Sequence, residues 1–321
     1  MGERRVAVLS RSFSRHAVLR AEAAARYADI RFMDGEATLS GAALIEFLQD
    51  RDHAIVALEA ITGDLLDALP GLRVLSKYGV GCDNIDLAAC SRRGVRVGWT
   101  GGVNRRSVAE LTVGFMIALV HKVGPAMTLV RDGGWKQIVG RQLSDRAVGI
   151  VGLGHVGKEV VRLLRPFGCR VLATDIQDVS SFASEHGVEL VPLDALLARC
   201  DVITLHVPLT PSTRRMIDAA ALARVPGGAV LVNAARGGIV DEGALLDALT
   251  SGRLGGAALD VFEVEPPADL ALARLPNVLA TPHIGGSAEE AILAMGRAAI
   301  AGLESAGDPL AIVPAYLHRS G

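Results

Sequence analysis

Late in the chain, three polar residues stand in turns. Arg236 lies in Asn233-Ala234-Ala235-Arg236-Gly237-Gly238 and Glu265 in Asp260-Val261-Phe262-Glu263-Val264-Glu265-Pro266-Pro267. His283 lies in Thr281-Pro282-His283-Ile284-Gly285-Gly286. Each turn follows a short apolar run (Ala229–Asn233, Ala257–Leu259 and Val278–Ala280) of the kind that forms a buried parallel strand. Parallel sheets bind ligands beyond the carboxyl ends of their strands, so these side chains belong to one chemical neighbourhood. A guanidinium there can grip a carboxylate with two hydrogen bonds and polarise an adjoining carbonyl. A carboxylate beside an imidazole orients it and raises its pKa, which suits proton transfer near neutral pH. Plainer readings exist: Arg236 capping the next helix through Asp241 or Glu242, and His283 serving only as a helix-entry turn.

The glycine turn Gly152-Leu153-Gly154-His155-Val156-Gly157 follows the apolar run ending at Val151 and opens a segment rich in Val and Leu. In a strand–turn–helix setting, Gly152 permits the tight turn, Gly154 lets the backbone approach a pyrophosphate, and Gly157 lets helix pack on strand. The helix N-terminus adds free N–H groups and partial positive charge. Asp175 ends the next strand, close to the ~20-residue spacing expected of a ribose-binding acid. A carboxylate there accepts the adenosine ribose hydroxyls and repels a 2′-phosphate, which predicts NAD rather than NADP. His155 either touches the pyrophosphate or is a solvated loop residue.

The elements that would position these groups alternate, short strands with longer helical patterns, as in an α/β protein with doubly wound parallel sheets. In the first third, strands are expected at Val6–Leu9, Ala54–Val56, Arg73–Leu75 and Val95–Val97, with helices near His16–Tyr27 and Ser40–Gln49. An apolar helix from Ser107 to Val120 follows, its start marked by Ser107 and Glu110 at capping-box spacing. Six further strands are expected: Ala147–Val151, Arg170–Thr174, Val202–Leu205, Ala229–Asn233, Ala257–Leu259 and Val278–Ala280. Helices are expected near Val156–Phe167, Leu193–Ala198, Glu242–Thr250 and Ala288–Ala301. A length of 321 residues suggests two domains.

The motif order resembles the D-2-hydroxyacid dehydrogenase family, most closely the catalytic part of its D-3-phosphoglycerate dehydrogenase branch. The resemblance is carried by Gly79-Val80-Gly81-Cys82-Asp83-Asn84-Ile85-Asp86, Asn104 through Leu111, the glycine turn, and His206-Val207-Pro208-Leu209-Thr210, followed by Asn233–Glu242, Ala258–Pro267 and Thr281–Gly286. It implies a Rossmann NAD domain (residues 102–286) inserted into a flavodoxin-like substrate domain split between residues 1–101 and 287–321. Arg236 would bind substrate carboxylate and carbonyl, His283 would be the general acid/base, and Glu265 would keep it protonated. Gly79, Val80, Gly81 and Asn104 would join Arg236 and His283 around the substrate. The cofactor would meet Val80, the turn from Gly152 to Gly157, Asp175, His206, Val207, Pro208, Ala234, Ala235, Arg236, Asp260, His283, Gly285 and Gly286, with Asp260 on the nicotinamide carboxamide. The expected reaction interconverts a small 2-oxo acid and its D-2-hydroxy acid, in a homodimer supported by the helix from Ser107.

Departures from the branch narrow this. Its phosphoglycerate-specific members carry an Arg after an early strand, where this chain reads Val56-Ala57-Leu58-Glu59-Ala60. That argues against 3-phosphoglycerate, although Lys77, Arg105 and Arg106 could supply charge from other loops. Thr100-Gly101-Gly102 replaces the family's Thr-Pro. The chain ends soon after its last helix, so serine feedback through a C-terminal domain is not expected. An NAD(H)-sensing co-repressor-like interaction protein on the same fold is the alternative. Formate dehydrogenase is disfavoured, because such relatives have Gln where Glu265 stands.

Composition excludes other classes. With 33 basic against 35 acidic residues, no bulk field recruits nucleic acid or an anionic membrane. Cys82, Cys90, Cys169 and Cys200 are scattered, with no C-x-x-C pair and no His at zinc-finger spacing, so neither a metal nor a disulfide framework is expected. The start from Met1 through Val6 has no signal-peptide core and no apolar run spans a bilayer, which predicts a cytoplasmic protein.

Overall fold

In the first third of the chain, β-branched and apolar runs pair into a parallel sheet of five strands: β1 (Arg5–Val8), β2 (Asp29–Phe32), β3 (His53–Val56), β4 (Val74–Lys77) and β5 (Arg96–Gly98). Their order is β2-β1-β3-β4-β5 and all pairs are parallel. The computed structural model describes residues 4–35 and 37–318; Met1–Glu3, part of the start read above for a leader, lie outside them. β3 and β4 are buried along their whole length, as strands covered by helices on both faces must be. The helix Glu289–Ser305 covers one face of this sheet. Its Met295, Ala299, Ile300 and Leu303 pack with Val6, Val8, Ile55 and Val74, so the C-terminal segment completes the N-terminal unit. Burial of such aliphatic side chains contributes about 1.5–3 kcal/mol each, enough to hold together two segments far apart in sequence.

The second sheet has seven parallel strands: β6 (Ala147–Val151), β7 (Arg170–Thr174), β8 (Glu189–Leu190), β9 (Val202–Leu205), β10 (Val230–Asn233), β11 (Gly256–Leu259) and β12 (Val278–Ala280). Their order is β12-β11-β10-β9-β6-β7-β8, which reverses direction between β6 and β9. That is the doubly wound dinucleotide-binding topology, with its ligand crevice at the reversal. The helix Arg105–Val120 buries Ala109, Val113, Met116 and Val120 in the same core as Val148 and Ile150.

The chain therefore forms two α/β units. One comprises the described residues of Met1–Asn104 and Gly286–Gly321, the other Arg105–Gly285. The sequence reading put the junctions at 101/102 and 286/287, so Asn104 and Gly286 fall in the first unit. Two strands were missed, β2 and β8. Both are edge strands; β2 is nowhere fully buried and β8 is two exposed residues, so neither carries the apolar run that reveals a central strand. The capping-box reading is corrected. The helix begins at Arg105, Ser107 donates its hydroxyl to the Gly285 carbonyl at 2.6 Å, and Glu110 pairs with Arg106. Among the described residues no single helix is long and apolar enough to cross a membrane, and no group of three or more His, Cys, Asp or Glu could hold a metal ion.

Candidate active site

The carboxyl end of β6 turns sharply at Gly152, whose φ of +94° lies in the left-handed region. A Cβ there would stand 2.7 Å from the His206 carbonyl oxygen, and one on Gly157 only 2.2 Å from that of Gly152. These two glycines are required by the protein's own packing. Gly154 is different: it is exposed, and a Cβ would meet nothing within 4 Å. The open space lies over the N-terminus of the helix His155–Leu164, where unpaired N–H groups face outward. A dinucleotide pyrophosphate fits this cradle. Asp175, one residue past β7, accepts from Leu153 N at 2.6 Å and from Gln177 N at 2.8 Å. A carboxylate offers about four acceptor positions, so two remain for ribose hydroxyls.

His155 opens the helix at the surface, and partial desolvation of its ring together with the charges of Arg105 and Lys158 holds its imidazole below the ordinary histidine value. Val156 follows it in the first helical turn. His206 takes a hydrogen bond to Thr204 Oγ1 at 3.0 Å, and burial pushes its pKa down to about 3, so it is neutral at physiological pH. Val207 and Pro208 follow beyond β9. Thr213 caps this turn, its hydroxyl donating to the Pro208 carbonyl at 2.6 Å.

At the end of β10 the buried Asn233 shapes the next turn. Its Nδ2 donates to Arg236 O at 2.9 Å, and its Oδ1 accepts from Ala235 N at 3.1 Å. Ala234 and Ala235 are thereby folded back, and Arg236 stands half-buried with a hydrogen bond to the Ala235 carbonyl at 2.7 Å. A Cβ on Gly237 would overlap the Phe262 carbonyl, so the Arg236 turn and the Glu265 loop are in backbone contact.

Glu265 and His283 meet across that loop: His283 Nδ1 and Glu265 Oε2 are 2.8 Å apart. The bond to Glu265 raises the His283 pKa above its ordinary value, against burial and against the nearby charge of Arg236. Burial opposes the charge on Glu265, but the bond from His283, with the Phe262 N–H and the charge of Arg236, holds its carboxyl below the usual range. Arg236, Glu265 and His283 thus form one electrostatic group. Beside it a cavity of about 390 Å³ is lined largely by Phe262, Pro266, Pro267, Leu270, Ala273 and Pro282.

Asp260 carries the loop. It is 1% exposed, and its carboxylate accepts from Thr281 Oγ1 (2.6 Å), Ile284 N (2.7 Å) and Gly285 N (2.7 Å). One acceptor position remains, enough for a carboxamide N–H. His283 itself has φ +54°, a region that costs a non-glycine residue about 1–2 kcal/mol. Sequence reading found His283 and Asp260 but missed Thr281 and Asn233, whose hydroxyl and amide act one residue type removed from any catalytic signature.

In the first unit, Gly79 turns at φ +107° just past β4, followed by Val80 and Gly81. Asn104 Oδ1 is buried with no hydrogen-bond partner, and a Cβ on Gly286 would come within 3.0 Å of Asn104 Nδ2. The charges considered for a phosphate are already engaged. Lys77 Nζ bonds the Ala57 carbonyl and, at 2.8 Å, Asn84 Oδ1. Arg106 pairs with Glu110 and Glu159, and Arg105 lies 4.0 Å from Glu159.

A reversed seven-stranded sheet, a glycine turn over a helix N-terminus and an acid past the second strand define a dinucleotide-binding protein of dehydrogenase type. Residues 113–285 match the family described as D-isomer specific 2-hydroxyacid dehydrogenase, NAD binding domain. The chain is 42% identical over 256 residues to D-3-phosphoglycerate dehydrogenase of Rattus norvegicus, covering 79% of this chain and 48% of that protein. It thus spans about half the length of that relative. It is 38% identical over 254 residues to hydroxypyruvate reductase of Thermotoga maritima, covering 77% of this chain and 82% of the relative. A D-lactate dehydrogenase of Aquifex aeolicus, solved with NAD and lactic acid, superposes with a TM-score of 0.83 at 27% identity, over 94% of each chain. The chain belongs to the D-isomer specific 2-hydroxyacid dehydrogenase family, and its second unit is an NAD-binding domain.

Proposed function

We propose that this protein is an NAD-dependent oxidoreductase that interconverts a small, unphosphorylated 2-oxo acid and its D-2-hydroxy acid. The observation that carries the reading is the 2.8 Å His283–Glu265 bond beside Arg236, at the carboxyl end of the NAD-binding sheet. Arg236 grips the substrate carboxylate and draws charge toward the carbonyl oxygen. With Nδ1 on Glu265, His283 presents Nε2 and delivers a proton to that oxygen as negative charge develops there. In the oxidative direction a neutral His283 removes the hydroxyl proton. NADH supplies the hydride when bound, and the residues from Gly152 to Gly157 with Asp175, His206, Val207, Pro208, Ala234, Ala235 and Asp260 hold and orient it.

The absence of a cation in Ala57–Ala60, with Lys77 turned onto Ala57 and Asn84, favours an unphosphorylated acid. A homodimer is supported by the helix Val123–Arg131, which buries none of its residues, and by Trp135, 92% exposed just beyond it. Exposed Val123, Met127 and Val130 share one face of that helix. Sedimentation velocity checks this: a dimer is expected, and a monomer at micromolar protein contradicts it. The activity is tested by following NADH and NADPH consumption with a panel of 2-oxo acids, phosphorylated and not. Turnover of an unphosphorylated acid with NADH is expected; no turnover of any acid overturns the reading.

A further inference from the structure

We propose that Thr281 is a positioning residue for His283, acting through the buried carboxylate of Asp260; this rests on the acid/base role of His283 proposed above. His283 is at the apex of a turn and has φ +54°, in the left-handed region that non-glycine residues adopt uncommonly and at a cost. The turn is fastened at both ends to one side chain. At its entry Thr281 Oγ1 donates to Asp260 Oδ1 at 2.6 Å, and at its exit Ile284 N and Gly285 N donate to Oδ1 and Oδ2, each at 2.7 Å. Between them, His283 N donates to the main-chain carbonyls of Asp260 and Thr281. The donors of the exit bonds are backbone N–H groups, so changing the side chain at 284 or 285 does not remove them. The entry bond rests on one hydroxyl. Asp260 is buried, and loss of that donor leaves its carboxylate one fixed partner short, which a mobile water from the adjoining cavity would not hold in the same geometry. The carboxylate then rotates to recover a partner, the entry loosens, and the backbone at His283 relaxes toward negative φ. Because the side chain turns with the backbone, Nδ1 leaves Glu265.

The charged groups acting on His283 are Glu265, Arg236 and Asp260. Glu265 raises its pKa and Arg236 lowers it, so a ring displaced from Glu265 titrates at lower pH. The test is NMR titration of the His283 imidazole in the full chain, alongside kcat, KM and their pH dependence. Thr281→Val removes the hydroxyl at nearly constant shape, and Thr281→Ser keeps it. Thr281→Val is expected to move the His283 titration to the acid side and to carry the alkaline limb of reductive kcat with it. At neutral pH kcat should fall roughly 10- to 100-fold, with KM changing much less. Thr281→Ser should stay near the parent in both readouts. Thr281→Ala serves if the valine variant does not fold. An unmoved His283 titration in the hydroxyl-free variants, or a serine variant as impaired as valine, overturns the proposal. If the parent chain turns over no acid, the proposed reaction fails, and the titration still decides the role of Thr281.

Discussion

Two turns at strand ends of the second unit carry the candidate site, and they are built on opposite principles. The turn after β6 adopts positive φ at Gly152, where no Cβ opposes it, and its close approaches fall on Gly152 and Gly157. The turn after β12 adopts positive φ at His283, which has a Cβ and is held there by Asp260 and Thr281. A phosphate-binding turn must offer bare backbone, so its residues can be glycines. An acid/base turn must offer a side chain, so the cost of its conformation has to be met by hydrogen bonds from elsewhere. Each turn also leans on an acid one residue past a strand. Asp175 is half-buried with two backbone bonds and stays open to a ligand, whereas Asp260 is buried with three bonds and serves mainly as a scaffold.

This contrast can be broken at several points. The largest effect is expected from His283→Ala, which should lower kcat by on the order of 10²–10⁴-fold while NADH still binds, as read by nucleotide fluorescence. Equal loss of NADH binding would mean that the two turns are not separable. Gly157→Ala places a Cβ 2.2 Å from Gly152 O, against backbone that cannot yield cheaply. It should destabilise the protein by about 1–3 kcal/mol in denaturant unfolding and abolish high-affinity NADH binding. Asp175→Ala should have a smaller consequence: NADH binding weaker by roughly tenfold, from the loss of charge-assisted hydrogen bonds to ribose, with the preference over NADPH narrowed. Unchanged nucleotide preference in a titration calorimeter would assign Asp175 to loop structure alone.

The same contrast explains what was legible in the sequence. The glycine turn was readable because its constraint is steric and falls on residues of one type at fixed spacing between a strand and a helix. Central strands such as β6 and β10 were readable because complete burial forces continuous apolar runs. The edge strands β2 and β8 lack that burial and leave no such run. Arg236, Glu265 and His283 were readable as polar groups at strand ends, and the family resemblance gave them roles. Asn233 was not, since its amide only folds back the adjoining turn through Ala235 and Arg236, and Thr281 was not, since its hydroxyl acts through Asp260, a partner 21 residues away that folding supplies. Ser107 was misread for the same reason: capping-box spacing is local, while its hydroxyl bonds Gly285, 178 residues away.

The most direct measurement of the central claim is the pH dependence of reductive kcat for the parent chain and for Glu265→Gln. Glu265 raises the His283 pKa, and reduction needs the protonated imidazole, so activity should be lost as pH rises through that raised value, on the alkaline side of an ordinary histidine. In Glu265→Gln the hydrogen-bond partner remains but its charge does not, so the same limb should move to lower pH and activity at neutral pH should fall. Superimposable profiles in the two proteins, or a parent rate that is flat through the histidine range and above, would contradict the assignment of His283 and Glu265 as the acid/base pair.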